Sequence, residues 1–149
     1  MAAASWAGVF AVFHLTWATG LYVLLDPVYA ARAFAQAWFR TLDLIVAALC
    51  LAAALVALAL VAPWGRRLPR WLLGGSAWTV TAVLVLRSAL SLTQHAYWLV
   101  AGRLQVSLMS VWEPWFYLGG LLFLVSTWRY WRTMRGATQG GGTPPERRR

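Results

Sequence analysis

The sequence predicts an all-α integral membrane protein with four transmembrane helices and both termini in the cytoplasm. Of its 149 residues, 61% are hydrophobic and 11% are charged, whereas soluble domains have about 45–50% apolar and about 25% charged residues. Four apolar stretches approach the length of about 20 residues that a helix needs to cross a bilayer. The 13 basic residues, all arginine, are divided unequally between the two ends of these stretches.

The four predicted spans are bounded by residues that interrupt helices. Asp26-Pro27 follows the first span, and Pro63-Trp64-Gly65 follows the second. Proline at position 114 opens the fourth, where its missing N–H costs nothing. Residues 44–61 are continuously apolar, which excludes the alternation of a barrel strand. The spans are expected at about residues 6–25, 42–62, 71–92 and 115–131.

The remaining segments are predicted to be loops and a tail. Residues 26–41 have apolar side chains at helical spacing, which is typical of a short amphipathic helix at the membrane surface. Residues 93–113 form the second loop on the same side. Residues 1–135 are therefore interpreted as one domain, and the Gly-, Pro- and Arg-rich residues 136–149 as a disordered, basic cytoplasmic tail.

The arginines predict the orientation of the spans, because loops rich in basic residues stay in the cytoplasm. Three arginines fall on the side of the two predicted outer loops (Arg32, Arg40 and Arg103), and Arg87 lies inside the third span. The nine on the other side are Arg66, Arg67, Arg70, Arg129, Arg132, Arg135, Arg147, Arg148 and Arg149. This split predicts a multi-pass protein of the cell membrane with both termini cytoplasmic.

Composition also narrows the possible partners. The net charge of +9 does not indicate nucleic acid, because the basic residues flank apolar runs instead of lining a polar face. The single cysteine, Cys50, excludes an intrachain disulfide. The expected partners are the lipid bilayer itself, a lipid or small apolar molecule, and another membrane protein or a second copy of the chain.

Polar side chains within the spans are the candidate functional residues, because they are costly in lipid. Arg87 is expected about one helical turn below the outer surface. It either extends to the headgroups or meets a carboxylate, and we predict a contact with Glu113, direct or through Tyr117 or water. The outer half is also expected to collect Asp26 and His95. The candidate ligand-binding or polar-cluster residues are His14, Trp17, Asp43, Arg87, Ser91, Gln94, Glu113 and Tyr117.

No cofactor or metal is predicted. His14 and His95 differ in depth by about 24 Å on the rise of an α-helix, and ligands of one metal lie about 2 Å from it. A site shared by the two is therefore excluded, while a haem held by His14 alone stays open. For His14 the simpler alternative is a neutral side chain satisfied by a neighbouring hydroxyl or carbonyl.

Three classes of function fit these features. The first is a non-enzymatic protein that binds a lipid, a small apolar ligand or a partner membrane protein through the outer polar cluster. The second is a small intramembrane enzyme acting on a lipid or isoprenoid-like substrate, with His14, Asp43 or Glu113 in proton transfer. The third is a subunit of a transporter or channel, which would require oligomerisation. The absence of a recognisable catalytic spacing favours the first.

Several short motifs carry a resemblance to a known family. They are His14-Leu15-Thr16-Trp17, Leu86-Arg87, Glu113-Pro114-Trp115-Phe116-Tyr117, Gly119-Gly120 and Leu122-Phe123. Over about residues 6–132 the chain resembles the small bacterial four-helix membrane proteins of domain-of-unknown-function family 3995. The resemblance implies a four-helix bundle with a polar outer cluster. It implies no known activity and no catalytic residue.

Overall fold

The computed structural model describes residues 1–102 and 112–139, and within them the chain is all-α. A 3₁₀ turn, Pro63–Arg67, joins the third helix to the fourth. The α-helices are α1 (Ala2–Ala18), α2 (Pro27–Phe34), α3 (Ala37–Ala59), α4 (Arg70–Val100) and α5 (Trp112–Gln139).

The first helix is shorter than predicted. It ends at Ala18 instead of about residue 25, because Gly20 (φ 93°) and Leu24 (φ 59°) turn the chain into left-handed backbone. The predicted amphipathic helix after this turn is confirmed as α2, which begins at Pro27 with the Asp26 carboxylate accepting a hydrogen bond from the Tyr29 N–H at 2.8 Å.

The fourth and fifth helices are longer than predicted. The α4 helix continues to Val100, two turns beyond the expected end, since no glycine or proline interrupts it before Gly102 (φ 64°). Pro114 lies in the first turn of α5, where it is tolerated. The α5 helix extends to Gln139, so its last four residues fall in the predicted tail. Residues 103–111 and 140–149, and with them the remaining expectations for the loop and tail, lie outside the described residues.

The four long helices pack antiparallel to their neighbours. The α1 helix packs along α3 and α4 packs along α5, with further contacts between α1 and α5 and between α3 and α4. We call the end at which α1 ends and α3 and α5 begin the upper end. The lower end holds the N-terminus, the 3₁₀ turn and the C-terminal part of α5. All described carboxylates lie towards the upper end (Asp26, Asp43 and Glu113).

The helices meet through small residues and aromatic rings. On α3, the buried Ala47, Ala53 and Ala57 form a face of small residues, which allows close helix approach. On α1, the Trp6 ring packs so closely on α5 that a Cβ at Gly119 would clash with it, and its indole N–H donates to the Trp115 carbonyl at 3.0 Å. Small residues therefore set how closely the helices approach at these positions.

Two of the helices, α3 and α4, are long and apolar enough to cross a membrane. The α1 helix is apolar but has only 17 residues. Large apolar side chains point away from the helix contacts all along α3, α4 and α5, including Leu49, Leu55, Val83, Leu86, Leu90 and Leu121.

Candidate functional site

The first polar pair lies between α1 and α3. Nδ1 of His14 and Oδ1 of Asp43 are 2.6 Å apart, and the side chains are only 12% and 6% exposed. Within the described residues, Nε2 of His14 and Oδ2 of Asp43 are buried and make no hydrogen bond. The two side chains therefore form a short, buried contact, and each keeps one polar atom without a hydrogen-bond partner.

Helical spacing explains why these two residues meet. Asp43 precedes Ala47 by four residues, so it lies on the α3 face of small residues that packs against α1. His14 follows Phe10 by four residues and Ala7 by seven, which places it on the buried face of α1. Because α1 ends at Ala18, His14 is only one turn from the upper end, level with the second turn of α3.

The second polar pair joins α4 and α5. Nη2 of Arg87 lies 3.1 Å from Oε1 of Glu113, as predicted, with side chains 42% and 18% exposed. The Ser91 hydroxyl donates to the other oxygen of Glu113, and the Tyr117 hydroxyl lies 3.4 Å from Ser91 Oγ. His95 contacts the Ser91 carbonyl through Nδ1 at 2.9 Å.

The predicted outer cluster is thus divided. Arg87, Ser91, Glu113 and Tyr117 come together, whereas Asp43 pairs with His14 instead of joining them. Three further residues take other positions: Asp26 caps α2, Gln94 is exposed one turn beyond Ser91, and Trp17 packs on His14 with ring centroids 4.8 Å apart.

Aromatic rings separate the two polar pairs. The Phe10 ring lies 4.7 Å from that of His14 and 5.3 Å from that of Phe116. The Arg87 guanidinium lies over the Phe116 ring, with its central carbon 4.6 Å from the ring centroid. This is a cation–π arrangement. The two polar pairs are therefore connected through the Phe10 and Phe116 rings, which meet edge to face. No hydrogen bond among the described residues links them.

The connection between α1 and α2 is fastened over this site by two indoles. Trp17 Nε1 donates to the Val23 carbonyl at 2.9 Å, and Trp112 Nε1 donates to the Leu24 carbonyl at 3.3 Å. The Trp112 ring also packs edge-on against Trp17 at 5.1 Å. These contacts hold the α1–α2 connection against the start of α5.

A cavity of about 320 Å³ lies beside the aromatic rings, among α1, α3, α4 and α5. Phe10 and Phe116 form its inner wall, and the Arg87 side chain contributes to a lining that is almost entirely apolar. Leu49 of α3 and Val83 of α4 line the cavity and are 63% and 61% exposed. The cavity therefore opens sideways between α3 and α4, not towards an end of the helices.

The two pairs differ in the chemistry that they allow. A carboxylate that orients one imidazole nitrogen leaves the other free to accept or donate a proton, which is the arrangement of Asp43 and His14. The Arg87 side chain keeps further N–H donors beyond the one used on Glu113. No group of three or more histidine, cysteine or carboxylate side chains that could hold a metal occurs in the described part of the chain.

The helical periodicity of the sequence contains a signal for the His14–Asp43 contact. Both residues continue the buried, small-residue or aromatic faces of adjacent antiparallel helices. The expected end of helix one near residue 25 placed His14 deeper in the span, away from the upper start of α3. The early turn at Gly20 is the feature that brings the two residues to one level.

Residues 7–123 match the family model described as "Protein of unknown function (DUF3995)". No curated protein and no solved structure matches the chain.

Proposed function

The chain belongs to the family of proteins of unknown function DUF3995, and from that premise we propose that it is a multi-pass membrane protein that binds a single-chain amphiphile without catalysing a reaction. The observation that carries the proposal is the lateral cavity with Arg87 in its apolar wall. The proposal has two parts, the placement of four helices in the bilayer and the occupant of the cavity.

Four spanning helices are supported by length and by packing. At 1.5 Å per residue, α3 and α4 measure about 34 and about 46 Å, against a hydrocarbon core of about 30 Å. The α1 helix measures about 25 Å and packs along α3, while α5 packs along α4. Because α1 and α5 pack alongside the two long apolar helices and also expose apolar side chains, we place all four helices in the bilayer.

The orientation follows from charge. Six arginines of the described residues lie at the lower end, so the positive-inside rule places that end, with both termini, in the cytoplasm. A reporter active only outside the cytoplasm should be silent when fused after Gln139 and active when inserted after Gly102. Activity of the C-terminal fusion would refute this orientation.

The shape and lining of the cavity favour a ligand with one apolar chain. Its volume of about 320 Å³ is near the lower limit of small-molecule sites, about 300–1,000 Å³. The opening between Leu49 and Val83 faces the acyl chains of the proposed bilayer, so a ligand enters from lipid. Arg87 lines the cavity from α4, and its guanidinium group supports a ligand whose head group lies beside the apolar cavity and accepts hydrogen bonds.

The test is native mass spectrometry of the detergent-purified protein with a long-chain fatty acid as the probe. Val83→Trp places a large ring in the mouth of the cavity and should abolish the fatty-acid adduct. Val85→Trp is the matched control, because Val85 is also exposed on α4 but does not line the cavity. Equal adducts in the two variants would exclude the cavity as the binding site.

A second candidate function rests on the His14–Asp43 pair. The unpartnered Nε2 of His14 would serve as a general base towards a lipid or isoprenoid-like substrate reaching the upper end. In that case His14→Gln, but not an exposed change such as Leu15→Gln, should alter the lipid composition of cells that produce the protein. Identical lipid profiles for the unaltered protein, His14→Gln and Leu15→Gln would exclude the enzymatic alternative.

A further inference from the structure

A second cavity, of about 540 Å³, lies at the lower end among the C-terminus of α3, the 3₁₀ turn, the start of α4 and the last turns of α5. Arg66 and Arg70 line it from the α3–α4 connection, and Tyr130 and Thr133 line it from α5. Both arginines are exposed, so their guanidinium groups are accessible to a ligand in the cavity. This cavity is separate from the one beside Arg87.

The charge around this lower cavity has one sign. The described residues include no carboxylate at this end, and neither Arg66 nor Arg70 takes part in the ion pairs found within residues 1–102 and 112–139. Two uncompensated guanidinium groups on one cavity favour an anion, and arginine suits the oxygens of a phosphate group in particular.

An apolar groove lies next to the lower cavity, along the outside of α3 and α4. The groove, of about 440 Å³, is lined in its upper part by Leu55, Val56 and Leu72. It shares Ala59, Leu68 and Leu73 with the lower cavity, so the two are adjacent. A ligand that fills both would have an anionic head among the arginines and an apolar chain between the helices.

We infer that the lower cavity binds the phosphate headgroup of an anionic glycerophospholipid, with one acyl chain in the adjoining groove. Basic pockets between spanning helices on the cytoplasmic side are suited to anionic headgroups, and both the charge and the apolar extension fit this occupant. The inference rests on the membrane placement proposed above, but it does not depend on an occupant of the lateral cavity beside Arg87.

The experiment compares lipid retention by native mass spectrometry after reconstitution in nanodiscs that contain equal amounts of phosphatidylglycerol and phosphatidylcholine. Arg66→Gln with Arg70→Gln removes both guanidinium groups that line the cavity and should reduce the preference for phosphatidylglycerol about thirtyfold, because charge-assisted hydrogen bonds to the headgroup are lost. The control is Arg129→Gln with Arg132→Gln, which removes the same charge at the same end from residues that do not line the cavity. It should change the preference less than about threefold.

A further pair of variants tests the acyl chain. Leu55→Trp should fill the groove and reduce lipid retention, whereas Leu51→Trp, one turn away on α3 and outside the groove lining, should not. Equal losses in the two arginine variants would overturn the inference in favour of a diffuse surface attraction. Displacement of the lipid by inorganic phosphate alone would overturn the lipid as occupant.

These outcomes are distinct from failure of the proposed function. Fatty-acid binding at the lateral cavity is tested with Val83→Trp. Val83 lies on α4 more than three turns from Arg70. Loss of one site therefore leaves the other measurable. Failure of the membrane placement would appear as no lipid of either headgroup retained by the unaltered protein.

Discussion

The His14–Asp43 pair should make an unequal contribution to stability depending on which partner is removed. His14→Leu leaves the Asp43 carboxylate, only 6% exposed, without the imidazole 2.6 Å away. Asp43→Ala leaves an imidazole that can remain neutral and needs only a hydrogen-bond acceptor. The first change strands a charge, whereas the second strands a neutral polar group.

The two costs can be set from the burial of the pair. Leaving a buried carboxylate without its partner costs about 3–5 kcal/mol, which applies to His14→Leu because the Asp43 side chain is only 6% exposed. An unsatisfied buried polar group costs about 1–3 kcal/mol, which applies to Asp43→Ala. The double variant strands neither partner, so its loss should be smaller than the sum of the two by about 2 kcal/mol.

The assay is a double-mutant cycle read by denaturant-induced unfolding in detergent micelles, with Leu15→Ala as an exposed control on α1. Additive losses, or losses below about 1 kcal/mol in both single variants, would mean that the contact carries no coupling. A larger loss for Asp43→Ala than for His14→Leu would refute the argument from the stranded carboxylate.

Two further predictions concern α5. The Arg87–Glu113 pair is more exposed than the His14–Asp43 pair, so the double-mutant cycle of Arg87→Leu and Glu113→Gln should give a coupling free energy of about 1 kcal/mol or less. Strictly additive losses of stability would contradict a contact between the two side chains. Gly119→Ala should destabilise the protein by about 1–3 kcal/mol, because the added methyl group meets the Trp6 ring, whereas Gly8→Ala, with open space around the new methyl group, should stabilise α1 by about 0.5–1 kcal/mol. Equal effects of the two glycine substitutions in thermal unfolding would contradict the close approach of α1 and α5.

The contact between Arg87 and Glu113 was accessible from the sequence because it depends on local features. A helix of fixed rise places Arg87 in the upper half of α4, and the proline adjacent to Glu113 fixes where the next helix begins. The same locality explains why the all-α class and the short helix after Asp26 were predicted. Apolar run length, proline position and charge are properties that each segment carries along the chain.

The partner of Asp43 required the tertiary structure. Three carboxylates could have met Arg87 at the upper end, and only the packing of α1 on α3 assigns Asp43 to His14. The turn at Gly20, which shortens α1, gives no strong signal in an apolar sequence but shifts His14 relative to α3 by nearly two helical turns. The register between helices therefore decided this part of the site.

By itself the sequence determined the helical class, the main apolar runs, the uneven distribution of arginines and one of the two polar pairs. Only the tertiary structure decided the His14–Asp43 pair, the aromatic rings that separate the two pairs, and both cavities. The physical reason is that helix formation depends on neighbours a few residues apart, whereas cavities and cross-helix pairs depend on which faces meet. Small residues such as Ala47 and Gly119 fix those faces through the closeness of approach that they allow.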